Sequence, residues 1–239
     1  MRHAHRALAV LDDLSQRLET MTFGEPVTHV YDPLDYARSM VRQYLERYGD
    51  GRKRVLLLGM NPGPWGMAQT GVPFGEVAAV RDWLGLDAPV GKPRREHPKR
   101  PVEGLACGRS EVSGRRLWGF FAERFGTPDA YFAEHLVLNH CPLVFMEDSG
   151  RNRTPDKLPA AERRPLLAAC DAALAALVAI YAPDWCVGVG GYAERRLREV
   201  CGDGVRVGRL LHPSPASPAA NRGWAPQAVA QLTGQGIWS

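Results

Sequence analysis

The sequence predicts an α/β domain on a mainly parallel sheet of four strands, and three observations carry that prediction. From residue 55 onward, apolar strand-length segments alternate with helix-period segments, the pattern of successive βα units. The strand candidates are continuously apolar, as parallel strands buried on both faces are. Each is directly followed by a polar or glycine-rich motif. In open α/β sheets a ligand lies beyond the carboxyl ends of the strands, so four distant segments should converge on one crevice.

The elements follow in order. A helix is predicted near residues 4–20, within a helical extension spanning 1–24. Asp12, Asp13 and Glu19 interrupt the apolar run that a signal peptide would need, so the helix reads as amphipathic. A second helix covers 34–48, and the first strand is Val55–Gly59, followed by MNPGPWG. A helix near 114–125 precedes the strand Leu136–Asn139, which is expected to continue toward Phe145 and carries NHCP. In the helix predicted over 163–181, Leu167, Cys170, Leu174, Leu177, Val178 and Tyr181 recur at spacings of three and four, placing Pro165 in its first turn. Trp185–Val189 runs into GVGGY and a helix over 192–200. Val205–Leu211 runs into HPSP and a helix over 218–232.

At 239 residues and 45% hydrophobic content, the chain is sized for one domain, 1–239. Thirty basic against 26 acidic residues give a net charge of +4 and a pI near 8.9, which leans toward a polyanionic partner. No window approaches the ~20 consecutive apolar residues of a bilayer span, since Asp171 breaks the alanine-rich stretch at 166–181. No membrane partner is expected. The five cysteines form no C-x-x-C pair, so neither a disulfide framework nor a metal knuckle is signalled. A monomer in a reducing cytoplasm is expected, and the excess of arginine over four lysines matches the coding bias of a GC-rich bacterial genome.

Around Asn61, two prolines and three glycines exclude a helix and impose a tight turn, so the carboxamide either bonds its own backbone or orients a water or a substrate hydroxyl. Asn139 ends an apolar strand, where an unsatisfied amide would cost on the order of 1–3 kcal/mol. A ligand can supply the partners. Uracil offers an N3–H donor beside its O4 acceptor, which a carboxamide matches, and cytosine matches the amide turned by half a rotation. Bonds that hold the amide would then decide specificity, with His140 and backbone groups around Cys141 as candidates. The proline after His212 holds it extended, available to donate to an oxygen that gains charge as a bond breaks. Phe74 sits among glycines and a proline, a setting that suits base stacking, worth ~1–3 kcal/mol, with a core-facing ring as the alternative. The segment 91–101 carries five cations against one acid among prolines and reads as a loop able to contact phosphates. No G-x-x-x-x-G-K-[ST] motif is present, which counts against a nucleotide-binding protein.

The motifs GMNPGPWGMAQTGVPFGEV at 59–77, NHCPL at 139–143 and HPSPASPAANRGW at 212–224 resemble the single-strand-selective monofunctional uracil-DNA glycosylases. The likeness extends through SEVSG at 110–114, SGRN at 149–152 and GVGGYAE at 188–194. It implies a three-layer α/β/α fold, excision of uracil and 5-substituted uracils from single- and double-stranded DNA, and neither metal nor cofactor. Oxidised pyrimidines, such as 5-hydroxymethyluracil, are among the implied substrates. It further implies that Asn61 positions the attacking water, that His212 stabilises the departing base, and that Asn139 reads the base while Phe74 stacks on it. Met60 and Gly63 would line the pocket, with Gly63 at the C5 edge of the base. The segment from Pro213 through Ser214, Pro215, Ala216 and Ser217 to Arg222 would act as a wedge in the DNA. Trp65 stands where the family pattern has Phe, and Ala216 where some relatives carry Arg. With no carboxylate in MNPGPWG, no strong general base is expected beside Asn61. With no lysine in these motifs, no Schiff base is expected and the strand stays uncut. The alternative is a catalytically inactive DNA-damage binder of the same fold.

Overall fold

The computed structural model describes residues 2–238. Four strands, β2 (Val55–Gly59), β3 (His135–Asn139), β6 (Trp185–Val189) and β7 (Arg206–Leu210), form a wholly parallel sheet in the order β3-β2-β6-β7. β2 is buried at every position, as are the first four residues of β3. Register sets Gly59 beside Asn139 and Val189 beside Leu210, so the four carboxyl ends finish level and their motifs emerge together.

Helices α1 (His3–Glu19), α3 (Arg38–Tyr48), α5 (Val112–Phe125), α7 (Ala160–Tyr181), α8 (Gly191–Val200) and α10 (Trp224–Gly234) complete a three-layer α/β/α fold, with short helices α2 (Pro33–Tyr36), α4 (Met67–Thr70), α6 (Pro128–Phe132) and α9 (Pro218–Asn221) in the connections. α1 packs against α3 and α7, α8 on β6 and β7, and α10 on β7 and α5. Ala4, Ala7, Leu8, Leu14 and Leu18 of α1 join the same apolar cluster as the sheet.

Several expectations are corrected. The strand at 136–139 does not continue toward Phe145. Pro142 has no N–H to give a ladder, and the chain leaves the sheet to form β4 (Val144–Glu147) in a separate antiparallel sheet with β1 (Val27–Tyr31) and β5 (Asn152–Arg153). β1 alternates buried and half-buried residues, so a search for continuously apolar runs passes over it. Pro165 lies at the sixth residue of α7 rather than in its first turn, because the helix begins at Ala160 behind Pro159. Helix 34–48 is broken at Ala37 and helix 218–232 at Gly223, whose φ of +103° leaves the helical region. By length and composition α7 could cross a membrane, contrary to expectation. Instead it packs on α1, and its Asp171 pairs with His140 and Arg196.

Candidate active site

The strand-end motifs enclose a cavity of about 360 Å³ lined by Met60, Asn61, Pro62, Gly63, Phe74, Glu111, Asn139, Asn152, Thr154, His212 and Ser214. Every residue expected to bind the base or act on it is there. A larger cavity, about 590 Å³, lies between α1, α2 and residues 93–95. Two ion pairs, Arg38–Asp12 and Arg94–Glu19, lie in its wall.

Backbone bonds orient the polar groups. Asn61 Nδ2 donates to the carbonyls of Leu143 (3.2 Å) and Pro62 (3.4 Å), which uses its donors and leaves Oδ1 to accept from a cavity water. His212 Nδ1 accepts the Ser214 N–H at 3.1 Å. That bond assigns the ring proton to Nε2. Burial pushes the His212 pKa down to about 4, so above pH 5 the ring is a neutral donor.

Asn139 Nδ2 donates to the Met67 sulfur at 3.2 Å. A thioether accepts but cannot donate, so this bond fixes which end of the amide is the donor and leaves Oδ1 free to accept an N–H. The expectation for His140 is corrected: its ring is turned away onto Asp171 Oδ1 (2.9 Å) and the Tyr192 hydroxyl (3.1 Å). The backbone N–H groups of His140 and Cys141 bond Gly59 and Met60 carbonyls, tying the loops and not the amide. Gly59 has no side chain for a further reason: a Cβ there would lie 2.2 Å from Asn139 Oδ1 and 2.6 Å from the Phe74 ring.

Phe74 adopts φ +53°, a strained conformation for a bulky residue. It is held by Gly75 N–H on the Val72 carbonyl (2.8 Å), Glu76 N–H on the Phe74 carbonyl (2.7 Å) and Trp118 Nε1 on the Pro73 carbonyl (3.2 Å). The ring belongs both to the core and to the cavity wall, with its centroid 5.9 Å from that of His212.

The wedge segment leaves the cavity at Ser214. Ser214 Oγ accepts the Ala216 N–H (3.1 Å), and Ser217 Oγ caps α9 through the Ala220 N–H (3.3 Å). Arg116 of α5, unmarked by any motif, braces it from below, donating to the Pro213 carbonyl (3.1 Å) and Asn221 Oδ1 (2.9 Å). Pro213 is buried; Pro215, Ala216 and Arg222 are exposed. The basic loop divides. Arg94 pairs with Glu19 of α1, whereas Arg100, with Arg109, lies over the Trp65 ring at 5.1 and 4.6 Å beside the cavity. His97 anchors that half, buried with Nε2 on the Glu147 carbonyl (3.1 Å).

Of the cavity residues that carry no expected role, Pro62, Glu111, Asn152 and Thr154, two bring polar groups with buried, unpartnered oxygens. Asn152 donates to the Pro62 carbonyl (3.2 Å) and leaves Oδ1 buried without a partner. Glu111 brings a carboxyl to a site where none was expected. The Cβ that Gly63 lacks would lie 2.5 Å from Glu111 Oε2. Gly63 lines the cavity, and behind it the wall is Glu111. Both residues fall in short motifs, SEVSG and SGRN, whose place in the resemblance was the only available signal.

The sequence profile of the Uracil DNA glycosylase superfamily matches residues 46–232. Among curated relatives, the "Single-strand selective monofunctional uracil DNA glycosylase" of Bos taurus is 52% identical over 227 residues, 94% of this chain and 84% of the bovine protein. The Mus musculus protein of the same description is 52% identical over 94% of this chain and 81% of its own. The crystal structure of wild-type Pedobacter heparinus SMUG2 superposes with a TM-score of 0.75 at 19% identity, covering 99% of this chain and 98% of that one, which speaks to the fold. Level strand ends, cavity and relatives agree, and the chain belongs to the single-strand selective monofunctional family of the uracil-DNA glycosylase superfamily.

Proposed function

We propose that this glycosylase hydrolyses the N-glycosidic bond of uracil, and of 5-substituted uracils such as 5-hydroxymethyluracil, in DNA without cutting the strand. The observation that carries the reading is the fixed pair of opposite polarity in one cavity: the free Asn61 Oδ1 and the neutral His212 Nε2–H. The nucleotide leaves the stack to reach them, its base lying on Phe74 and read by Asn139. The C1′–N1 bond then breaks with its electron pair going to the base, leaving an oxocarbenium-like sugar as in other glycoside hydrolyses. His212 Nε2–H donates to the base oxygen on which charge collects. Asn61 Oδ1 accepts a hydrogen bond from the water whose oxygen adds to C1′, and the proton this water sheds is taken up by the departed base anion or by solvent. An amide is a weak base, sufficient when the base has largely departed before attack. No lysine lines the cavity, so no amine adds to C1′ and the product is an abasic site.

The test is incubation with single-stranded oligonucleotides carrying one uracil or one 5-hydroxymethyluracil, followed by alkali. Strand breaks that require alkali are expected for both. A DNA-damage binder gives no breaks with or without it, and breaks before alkali would refute the monofunctional mechanism.

A further inference from the structure

Glu111 is the one acid lining the cavity among the described residues. It occupies the N-cap of α5, where a side-chain oxygen ordinarily accepts from the first free amides of the helix. It makes no such bond. The carboxyl turns instead toward the cavity and lies against the backbone of Gly63 and Gly66, whose absent Cβ atoms would come within 2.5 and 1.8 Å of Oε2. Oε2 is buried and has no hydrogen-bond partner. The flanking cations do not serve it either: Arg109 stacks on Trp65, Arg115 bonds Ser110 Oγ and Arg116 bonds the Pro213 carbonyl. A buried carboxyl without cation or donor destabilises the fold, and its companions in the cavity are the groups assigned to the base.

We propose that Glu111 works as the neutral acid, donating a hydrogen bond to an oxygen acceptor on the edge of the base that faces Gly63, and so takes part in both binding and departure of the base. The inference rests on the glycosylase reading above. The chemistry favours the acid over the carboxylate because the base leaves as an anion, which a fixed negative charge beside it would repel and a donor would stabilise. Burial, with the Glu76 carboxylate adding to it, pushes the Glu111 pKa up to about 7. The charged or titratable groups facing it from neighbouring elements are few. Glu76 already accepts the Ala79 N–H, Arg153 pairs with Glu147, and His212 stays neutral above pH 5. The Gly63–Gly66 turn contributes none. Between pH 5.5 and 8.5, Glu111 is therefore the cavity group that changes charge. No bond to Glu111 forms or breaks, and its proton stays on the carboxyl throughout.

The experiment measures single-turnover excision of uracil from a single strand between pH 5.5 and 8.5 at fixed ionic strength, for the wild type and Glu111→Gln. The wild-type rate is expected to fall above pH 7, approaching tenfold per pH unit. The glutamine keeps a donor, a weaker one, so its rate should lie about three- to tenfold lower at pH 6 and stay flat to pH 8.5. A wild-type rate that rises with pH, with Glu111→Gln reduced more than a hundredfold throughout, would make Glu111 a carboxylate base and overturn the proposal. Parallel profiles for the two proteins would reduce it to a space-filling role. Should the variant fail to fold, a flat or rising wild-type profile overturns the proposal by itself. Absence of excision by the wild type at every pH would instead sink the glycosylase reading, and the Glu111 carboxyl resonance of the free enzyme then remains as the readout, expected to titrate near pH 7 and overturning the proposal if it titrates near 4.5.

Discussion

The cavity and the wedge segment meet at Ser214 yet are built in opposite ways. In the cavity each polar group is held by a bond that leaves one chosen atom free: Asn61 by two carbonyls, His212 by the Ser214 N–H, Asn139 by the Met67 sulfur. The wedge segment is braced by Arg116 and Asn221, and of its exposed residues, Pro215, Ala216, Pro218, Asn221 and Arg222, only Arg222 has a long side chain. The cavity groups are thus held in place before any ligand binds, whereas the segment beyond Ser214 offers little exposed side-chain bulk. Opening a duplex step requires a few kcal/mol that inserted side chains normally offset. Uracil already in a single strand needs no such help.

The comparison breaks most visibly in the cavity. Asn61→Ala and His212→Ala should each lower the single-turnover rate by about two decades or more while binding of uracil-free DNA stays nearly unchanged. Equal losses of rate and binding in either variant would remove its assigned role. Gly59→Ala is expected next in size. Its new methyl meets Asn139 Oδ1 and the Phe74 ring together, so excision should fall roughly tenfold or more and stability by about 1–3 kcal/mol. Melting and rate measured on the same preparation separate the two effects, and an unperturbed rate would show that Asn139 does not read the base.

The wedge predictions are smaller and depend on the substrate. Arg116→Ala frees the Pro213 carbonyl and Asn221, and should slow excision from U·A and U·G duplexes about fivefold while changing the single-stranded rate less than twofold, given the net worth of such hydrogen bonds. Equal slowing on both substrates would place Arg116 in the cavity's support instead. Ala216→Arg should give the mildest change, narrowing the single- to double-strand rate ratio by about threefold. An unchanged ratio would show that another part of the segment opens the duplex.

How far the sequence alone reached is plain in the individual elements. β2 and β6 lie where the apolar runs placed them, residue for residue, because a strand buried on both faces must be apolar throughout. Asn61, Asn139 and His212 were legible as cavity residues because each lies at or just beyond the end of a parallel strand, and Phe74 because glycine and proline define its turn locally. β1 was not, since its alternation carries half the signal and its partner, β4, lies more than a hundred residues on. The boundary of α7 escaped because Pro165 looks locally like a helix start, and only packing shows the helix running through it.

Glu111 marks the deeper limit. In the sequence it is an acid ahead of a helix, where local rules predict a cap; only the approach of Gly63 and Gly66, some fifty residues earlier, makes its surroundings a cavity wall. The same holds for the bond from Asn139 to Met67 and for the brace that Arg116 gives the wedge. Residue type and local turn chemistry determined which groups could act and that they would meet at the strand ends. The direction in which each side chain points, its protonation and its tautomer were decided by tertiary structure, because these depend on neighbours that chain folding brings near and sequence order keeps apart.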